Sequence, residues 1–314
     1  MAEVKKIATR ESYGATLVEL GAENPNIVVM DADLAGATKT AMFKKAYPDR
    51  FFDAGIAEAN MMGVAAGLAT MGKIPFVSSF AMFASGRAYE QVRNSIGYPN
   101  LNVKICASHA GITVGEDGAT HQCNEDIALM RTIPGMVVMV PSDDIEARAA
   151  VRAAAEYKGP VYIRLGRAAV PVVNDPENFK FEIGKGQTVK EGKDVTIIAT
   201  GLGLDSSIGA AKMLAEDGID AEVINICTIK PLDEELVIKS AKKTGKVVTV
   251  EEHSIIGGLG SAVCDCLSEK CPTQVKRLGI NDVFGESGPA FDLLHKYELD
   301  AEGVYKHIKE FLGK

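Results

Sequence analysis

Apolar and polar positions fall in alternating blocks along most of the chain. Short runs of consecutive apolar residues ("NIVVMD", "IPFVSSF", "NVKICASH", "MVVMVP", "PVYIRLG") have the length and β-branched content of buried strands. Between them lie segments with helical spacing: "IAEANMMGVAAGLATMG", closed by glycine, "FASGRAYEQVRNSI", and "PSDDIEARAAVRAAAEY", for which Ser142 offers an N-cap. The pattern breaks at residues 170–193, "VPVVNDPENFKFEIGKGQTVKEGK", which are rich in Pro, Gly, Asn and charge. It then resumes from "DVTIIATG" through "AEVINI", "KVVTVEE" and "TQVKRLGI", each followed by a helical segment, with two short helices at the end. This alternation predicts an α/β protein of two doubly wound, mostly parallel-sheet domains, 1–172 and 192–314, joined by a linker over 173–191.

Open α/β sheets bind ligands just beyond the carboxyl ends of their strands. At those ends the first half of the chain places Asp31 and Asp33, Phe80 and Phe83, His109, and Arg167, with Glu58 opening a helix. One loop stands out. "GITVGEDGATHQCNED" holds Glu116, Asp117, Glu125, Asp126 and His121 among three glycines, between two segments that read as buried strands. Taken singly, each residue has an ordinary structural role: Glu58 as a carboxylate at a helix start, the aromatics as core, Arg167 in a surface ion pair. Their convergence on one rim is what points to chemistry. Gly257, Gly258 and Gly260 read as a tight turn into a helix, without the other elements of a nucleotide fingerprint.

Charge and composition narrow the partners. A net charge of −8 argues against nucleic acid as a partner. No apolar run is long enough to span a bilayer, and the start, "MAEVKKIATRESYG", lacks the apolar core of a signal peptide, so a cytoplasmic protein is expected. Cys106 and Cys227 sit in apolar runs. Cys264, Cys266 and Cys271 lack the second pair of a finger-like site, so reduced thiols are expected and no metal ligand is assigned.

The segments "FFDAGIAEANMMGVAAGLA", "SHAGITVGEDGATHQCNEDIALMRTIP", "VMVPSD" and "TIKPLD" carry a resemblance. Over essentially its whole length the chain resembles the C-terminal half of transketolase, a thiamine diphosphate enzyme. The resemblance implies a pyrimidine-binding domain followed by the family's C-terminal domain. It places Glu58 at the cofactor's aminopyrimidine, where a buried carboxyl with a raised pKa drives the ring toward the tautomer that deprotonates thiazolium C2. It places Phe80 and Phe83 as the aromatics that sandwich the ring, and Asp33 beside the cofactor. Asp117, His109 and His121 match groups that meet the sugar's hydroxyls, and Arg10 and Arg167 match the arginines that clamp its phosphate. Where the family has a phosphate-binding serine, this chain has Ala37, with Thr38 beside it, and the segment after Phe83 is one residue longer than the family pattern.

The chain has no Gly-Asp-Gly, the motif through which such enzymes hold the diphosphate and Mg²⁺ (or Ca²⁺). A partner subunit carrying that motif is therefore expected to bind the metal, in an α2β2 heterotetramer of a split transketolase. The implied reaction moves a two-carbon ketol unit from a ketose phosphate such as xylulose 5-phosphate to an aldose phosphate such as ribose 5-phosphate or erythrose 4-phosphate, in the pentose phosphate pathway. The alternatives are a subunit related to deoxyxylulose phosphate synthase or to a 2-oxo acid dehydrogenase β subunit, or a non-catalytic orphan subunit. The phosphate arginines and the two histidines favour sugar phosphates.

Overall fold

The computed structural model describes residues 5–314. Two parallel-rich sheets dominate. The first runs, in spatial order, Thr228–Lys230, Val137–Met139, Val161–Arg164, Lys104–Ser108, Ile74–Phe80, Ile27–Asp31 and Phe51–Asp53, parallel except at the first pair. The second runs Gln274–Ile280, Lys246–Ser254, Val195–Ala199, Ala221–Asn225 and Gln187–Lys190, antiparallel only at the last pair. Central strands such as Ile27–Asp31 and Val195–Ala199 are buried at every position. That burial explains why they read as continuous apolar runs rather than alternating ones.

Local chemistry sets the helix ends. Helix Glu234–Thr244 starts at Asp233, whose side chain accepts the Leu236 N–H, and ends at Gly245 in the left-handed region. Glu234 and Glu235 lie in its first turn and Lys242 and Lys243 in its last, as its dipole favours. Helix Asp144–Glu156 departs from expectation by one residue: its cap is Asp143, which accepts the Glu146 N–H, while Ser142 donates through both its N–H and its hydroxyl to the Glu146 carboxylate.

Two departures concern the division of the chain. Gln187–Lys190, inside the expected linker, forms the edge strand of the second sheet. Thr228–Lys230, from the second half, adds an antiparallel edge strand to the first sheet. One continuous buried apolar cluster includes Ile105, Val138 and Tyr162 from the first half and Ile198, Ile224, Val237 and Leu259 from the second. The two halves thus share a core.

Candidate active site

The strands Ile27–Asp31, Ile74–Phe80, Lys104–Ser108 and Val161–Arg164 end on one rim, and the residues expected there gather on it. Phe80 stacks on His109 with ring centroids 3.9 Å apart. Phe83 lies 6.0 Å from Phe80, nearly parallel, and the His121 ring meets both phenyl rings edge-on. Arg10, from the first turn of helix Thr9–Glu23, reaches His109 with Nη1 3.2 Å from Nε2.

The His109 tautomer follows from its partners. A guanidinium can only donate, so Nε2 carries the lone pair and Nδ1–H donates to Ser108 Oγ at 2.9 Å. Burial, then the charges of Arg10 and Arg167, push its pKa down to about 3, so the ring stays neutral. Arg10 also donates to the Ala37 carbonyl at 2.9 Å. Arg167 donates to the Val114 carbonyl and to Glu116 Oε2 at 2.7 Å. Two cations thus act on one neutral imidazole, an arrangement suited to an anion beside hydroxyl groups.

Glu58 opens helix Glu58–Thr70 and is 2% exposed. Its two oxygens accept from Arg87 Nη1, each at 3.0 Å, and the Arg87 guanidinium lies 4.5 Å from the Phe83 ring centroid. Nothing in the local sequence singles out Arg87. It is delivered by a π-helical turn, Met82–Arg87, where a regular α-helix was expected. A π turn accommodates one extra residue without rotating the rest of the helix, and such turns recur at functional sites. A second π turn follows at Val92–Gly97.

The Phe80–Phe83 separation corresponds to one stacking contact, so no third ring lies between the two phenyl groups in this arrangement. Phe83 is partly exposed, with the Arg87 guanidinium over its face. Thr38 does not stand in for a phosphate-binding serine: it is fully buried and donates to Asp31 Oδ2 at 2.6 Å, while Thr40 donates to the same oxygen at 2.8 Å. Asp31 in this way fixes the turn that presents Ala37 to Arg10. Asp33 is exposed, has φ +62°, and donates its N–H to Asp53 Oδ1. Asp117 is exposed at the end of the 3₁₀ turn Ile112–Asp117.

The acids of the 114–126 loop divide by role. Asp126 is buried, accepting from Arg164 Nε at 3.0 and 3.1 Å and from the Tyr162 hydroxyl at 2.7 Å. Glu116 pairs with Arg167, and Glu125 accepts the Asn124 N–H. Only Asp117 points to solvent without such a partner among the described residues. A buried carboxyl group, an aromatic face, a neutral imidazole and paired guanidinium groups suit an aromatic cofactor next to a polar, anionic substrate. The sole acid and histidine cluster with metal-ligand spacing among the described residues, His295, Asp300 and Glu302, sits on the C-terminal helices Ala290–Lys296 and Ala301–Leu312 and the turn between them.

Residues 5–173 match the family of the transketolase pyrimidine binding domain, and residues 184–304 that of the transketolase C-terminal domain. A putative transketolase C-terminal section from Methanocaldococcus jannaschii is 55% identical over 97% of this chain and 96% of its own length. A 6-deoxy-6-sulfo-D-fructose transketolase subunit from Clostridium sp. is 48% identical over 96% of this chain and 93% of its own. A solved split gene transketolase, an inactive beta4 tetramer, superposes with a TM-score of 0.89 at 56% identity, covering 98% of each chain.

Proposed function

Because this chain belongs to the transketolase family, as a subunit of the split type, we propose that it supplies the pyrimidine and donor-sugar half of a transketolase site completed by an N-terminal partner. The proposed reaction transfers a ketol group from a ketose phosphate such as xylulose 5-phosphate to an aldose phosphate such as ribose 5-phosphate or erythrose 4-phosphate, in the cytoplasmic pentose phosphate pathway. The observation that carries this reading is Arg10 on neutral His109, which stacks on Phe80 beside Phe83, with the charge of Arg167 also acting on that imidazole.

The residues present fit thiamine diphosphate on this chain's side. Glu58 is a buried carboxyl whose only bonded partner among the described residues, Arg87, is half exposed and so displaceable. When bound, the cofactor supplies a carbon nucleophile that no side chain provides. In this reading the Glu58 carboxyl holds a proton at the ring nitrogen facing it, and Phe83 offers a stacking face. His109, with its Nε2 lone pair toward the rim, accepts from a donor hydroxyl; His121 and Asp117 meet further hydroxyls. Arg10 and Arg167 hold the sugar's anionic end in bidentate fashion. Mg²⁺ and the diphosphate fall to the partner and its Gly-Asp-Gly motif, in an α2β2 assembly.

Co-expression with an N-terminal partner tests the proposal. Ketol transfer from xylulose 5-phosphate should require both subunits. Arg10→Ala and Arg167→Ala should each cost about 1.5–3 kcal/mol in kcat/KM for phosphorylated donors and far less for hydroxypyruvate. Equal losses on both donors would overturn the phosphate assignment. The 48% identity to a sulfosugar transketolase subunit favours a second donor reading, a sulfonate in place of the phosphate, which the same assay compares directly.

A further inference from the structure

The C-terminal half contributes none of the residues just described, yet it grips the loop that carries three of them. Glu252, on strand Lys246–Ser254, is buried, and its Oε1 accepts the Thr113 N–H at 2.5 Å. Gly111, at φ +78°, packs against the same carboxylate; a Cβ there would come within 2.5 Å of Glu252 Cδ. The Glu252 carbonyl accepts from Arg164 Nη2 at 2.8 Å, and Arg164 also holds Asp126 on the loop's returning leg. Ser254 N–H donates to the Asn124 carbonyl at 2.7 Å, and Gln122 Nε2 donates to the Glu286 carbonyl at 2.8 Å. Gly115 and Gly118, both at positive φ, pack directly on residues 287–290.

Both legs of this glycine-rich loop are therefore fixed from across the domain boundary, in addition to the bonds the loop makes within the first half. Ordering such a backbone is costly, because glycine loses more conformational freedom than any other residue. Burying a carboxylate is also costly, and the Thr113 N–H and the nearby Arg164 charge offset that cost only in part, since burial still raises the Glu252 pKa. We propose that Glu252 is a positioning residue for donor recognition: through Thr113 and Gly111 it holds the 109–126 loop so that His109, Asp117 and His121 face the donor sugar. The C-terminal domain is, in these terms, the platform of the substrate loop. The proposal rests on the reading that this loop meets the donor.

The test uses the two-subunit complex with xylulose 5-phosphate, alongside C2–H exchange of bound thiamine diphosphate before sugar is added. Glu252→Ala should raise the donor KM about tenfold or more, since small misplacements of positioning groups are expensive. Exchange should stay at the wild-type rate, because it precedes donor binding. Glu252→Gln keeps an accepting oxygen and should recover most of the loss, which a purely charge-based role would not allow. Gly285→Ala supplies a second arm if Glu252→Ala fails to fold: Gly285 sits in a surface loop, and a Cβ there would collide with the Gln122 carboxamide and push the loop from its other side. A wild-type donor KM in the folded variants, or exchange falling in step with it, overturns the proposal. Asp117→Ala separates the two levels. If it raises KM while Glu252→Ala and Gly285→Ala do not, the positioning role fails and the donor site stands; if it too leaves KM unchanged, the donor-site reading fails.

Discussion

At the scale of single residues, three outcomes are expected. Glu58→Gln keeps shape and burial but removes the proton that the ring nitrogen needs. In the assembled complex, C2–H exchange should slow by orders of magnitude while cofactor still binds. Exchange at the wild-type rate would leave Glu58 as a helix-start carboxylate. Arg87→Met removes the ion pair that covers this carboxyl. Because Arg87 is half exposed, the pair is worth on the order of 0.2–1 kcal/mol, so cofactor affinity measured by calorimetry should tighten by up to about fivefold. Weaker binding would instead make Arg87 a cofactor contact. The third concerns pH. His109 and His253 have folded pKa values pushed down, chiefly by burial, to about 3 and about 4 from an ordinary 6.5. Below pH 6.5 the unfolded chain takes up protons that the fold refuses, so stability is lost as pH falls from 6.5 toward those values, by at most about 1.4 kcal/mol per pH unit for each histidine. Glu251, raised by burial to about 7, acts in the opposite sense between 4.5 and 7. The check is therefore differential: His109→Asn should unfold with a shallower acid slope than the wild type in denaturant titrations at pH 5 and 6.

At the scale of elements, Asp143 does more than cap. Its Oδ1 accepts the Glu146 N–H at the start of helix Asp144–Glu156, and its Oδ2 accepts the N–H groups of Val173 and Asn174, at 2.9 and 2.8 Å. One side chain ties the helix to the segment leaving the first sheet. Asp143→Ala should destabilise the protein by more than the ~1 kcal/mol of an ordinary cap, read by chemical denaturation. The sequence alone does not separate the two candidates, because Ser142 and Asp143 are equally good cap types. Which one serves depends on where Glu146 turns, and Asn225, from the second sheet, donates to Glu146 Oε1 at 2.8 Å. The π turn at Met82–Arg87 was likewise invisible in the residue pattern, because helical periodicity does not distinguish a π turn from an α turn.

At the scale of the whole molecule, the shared apolar cluster and the exchanged edge strand Thr228–Lys230 predict joint unfolding. Scanning calorimetry should show one cooperative transition rather than two. Two resolved transitions would mean that the expected units 1–172 and 192–314 are energetically separate.

The parallel strands, most helices and the convergence of Asp31, Asp33, Glu58, Phe80, Phe83, His109, Asp117, His121 and Arg167 near the strand ends were legible in the chain, while Arg10 came from the family resemblance. Buried strands must be apolar, and the ends of such strands are where open sheets present polar groups. What only the tertiary structure decided are the side-chain pairings, most of them across long separations. Arg87 on Glu58, Asp31 on Thr38 and Thr40, Arg164 on Asp126, and Glu252 beneath Gly111 and Thr113 join residues whose local patterns carry no trace of one another. The acids of the 114–126 loop are alike in the sequence pattern, yet Asp126 is buried against a guanidinium and Glu116 is paired with one. A carboxylate's role is set by the charge it faces, and that charge is chosen by the fold.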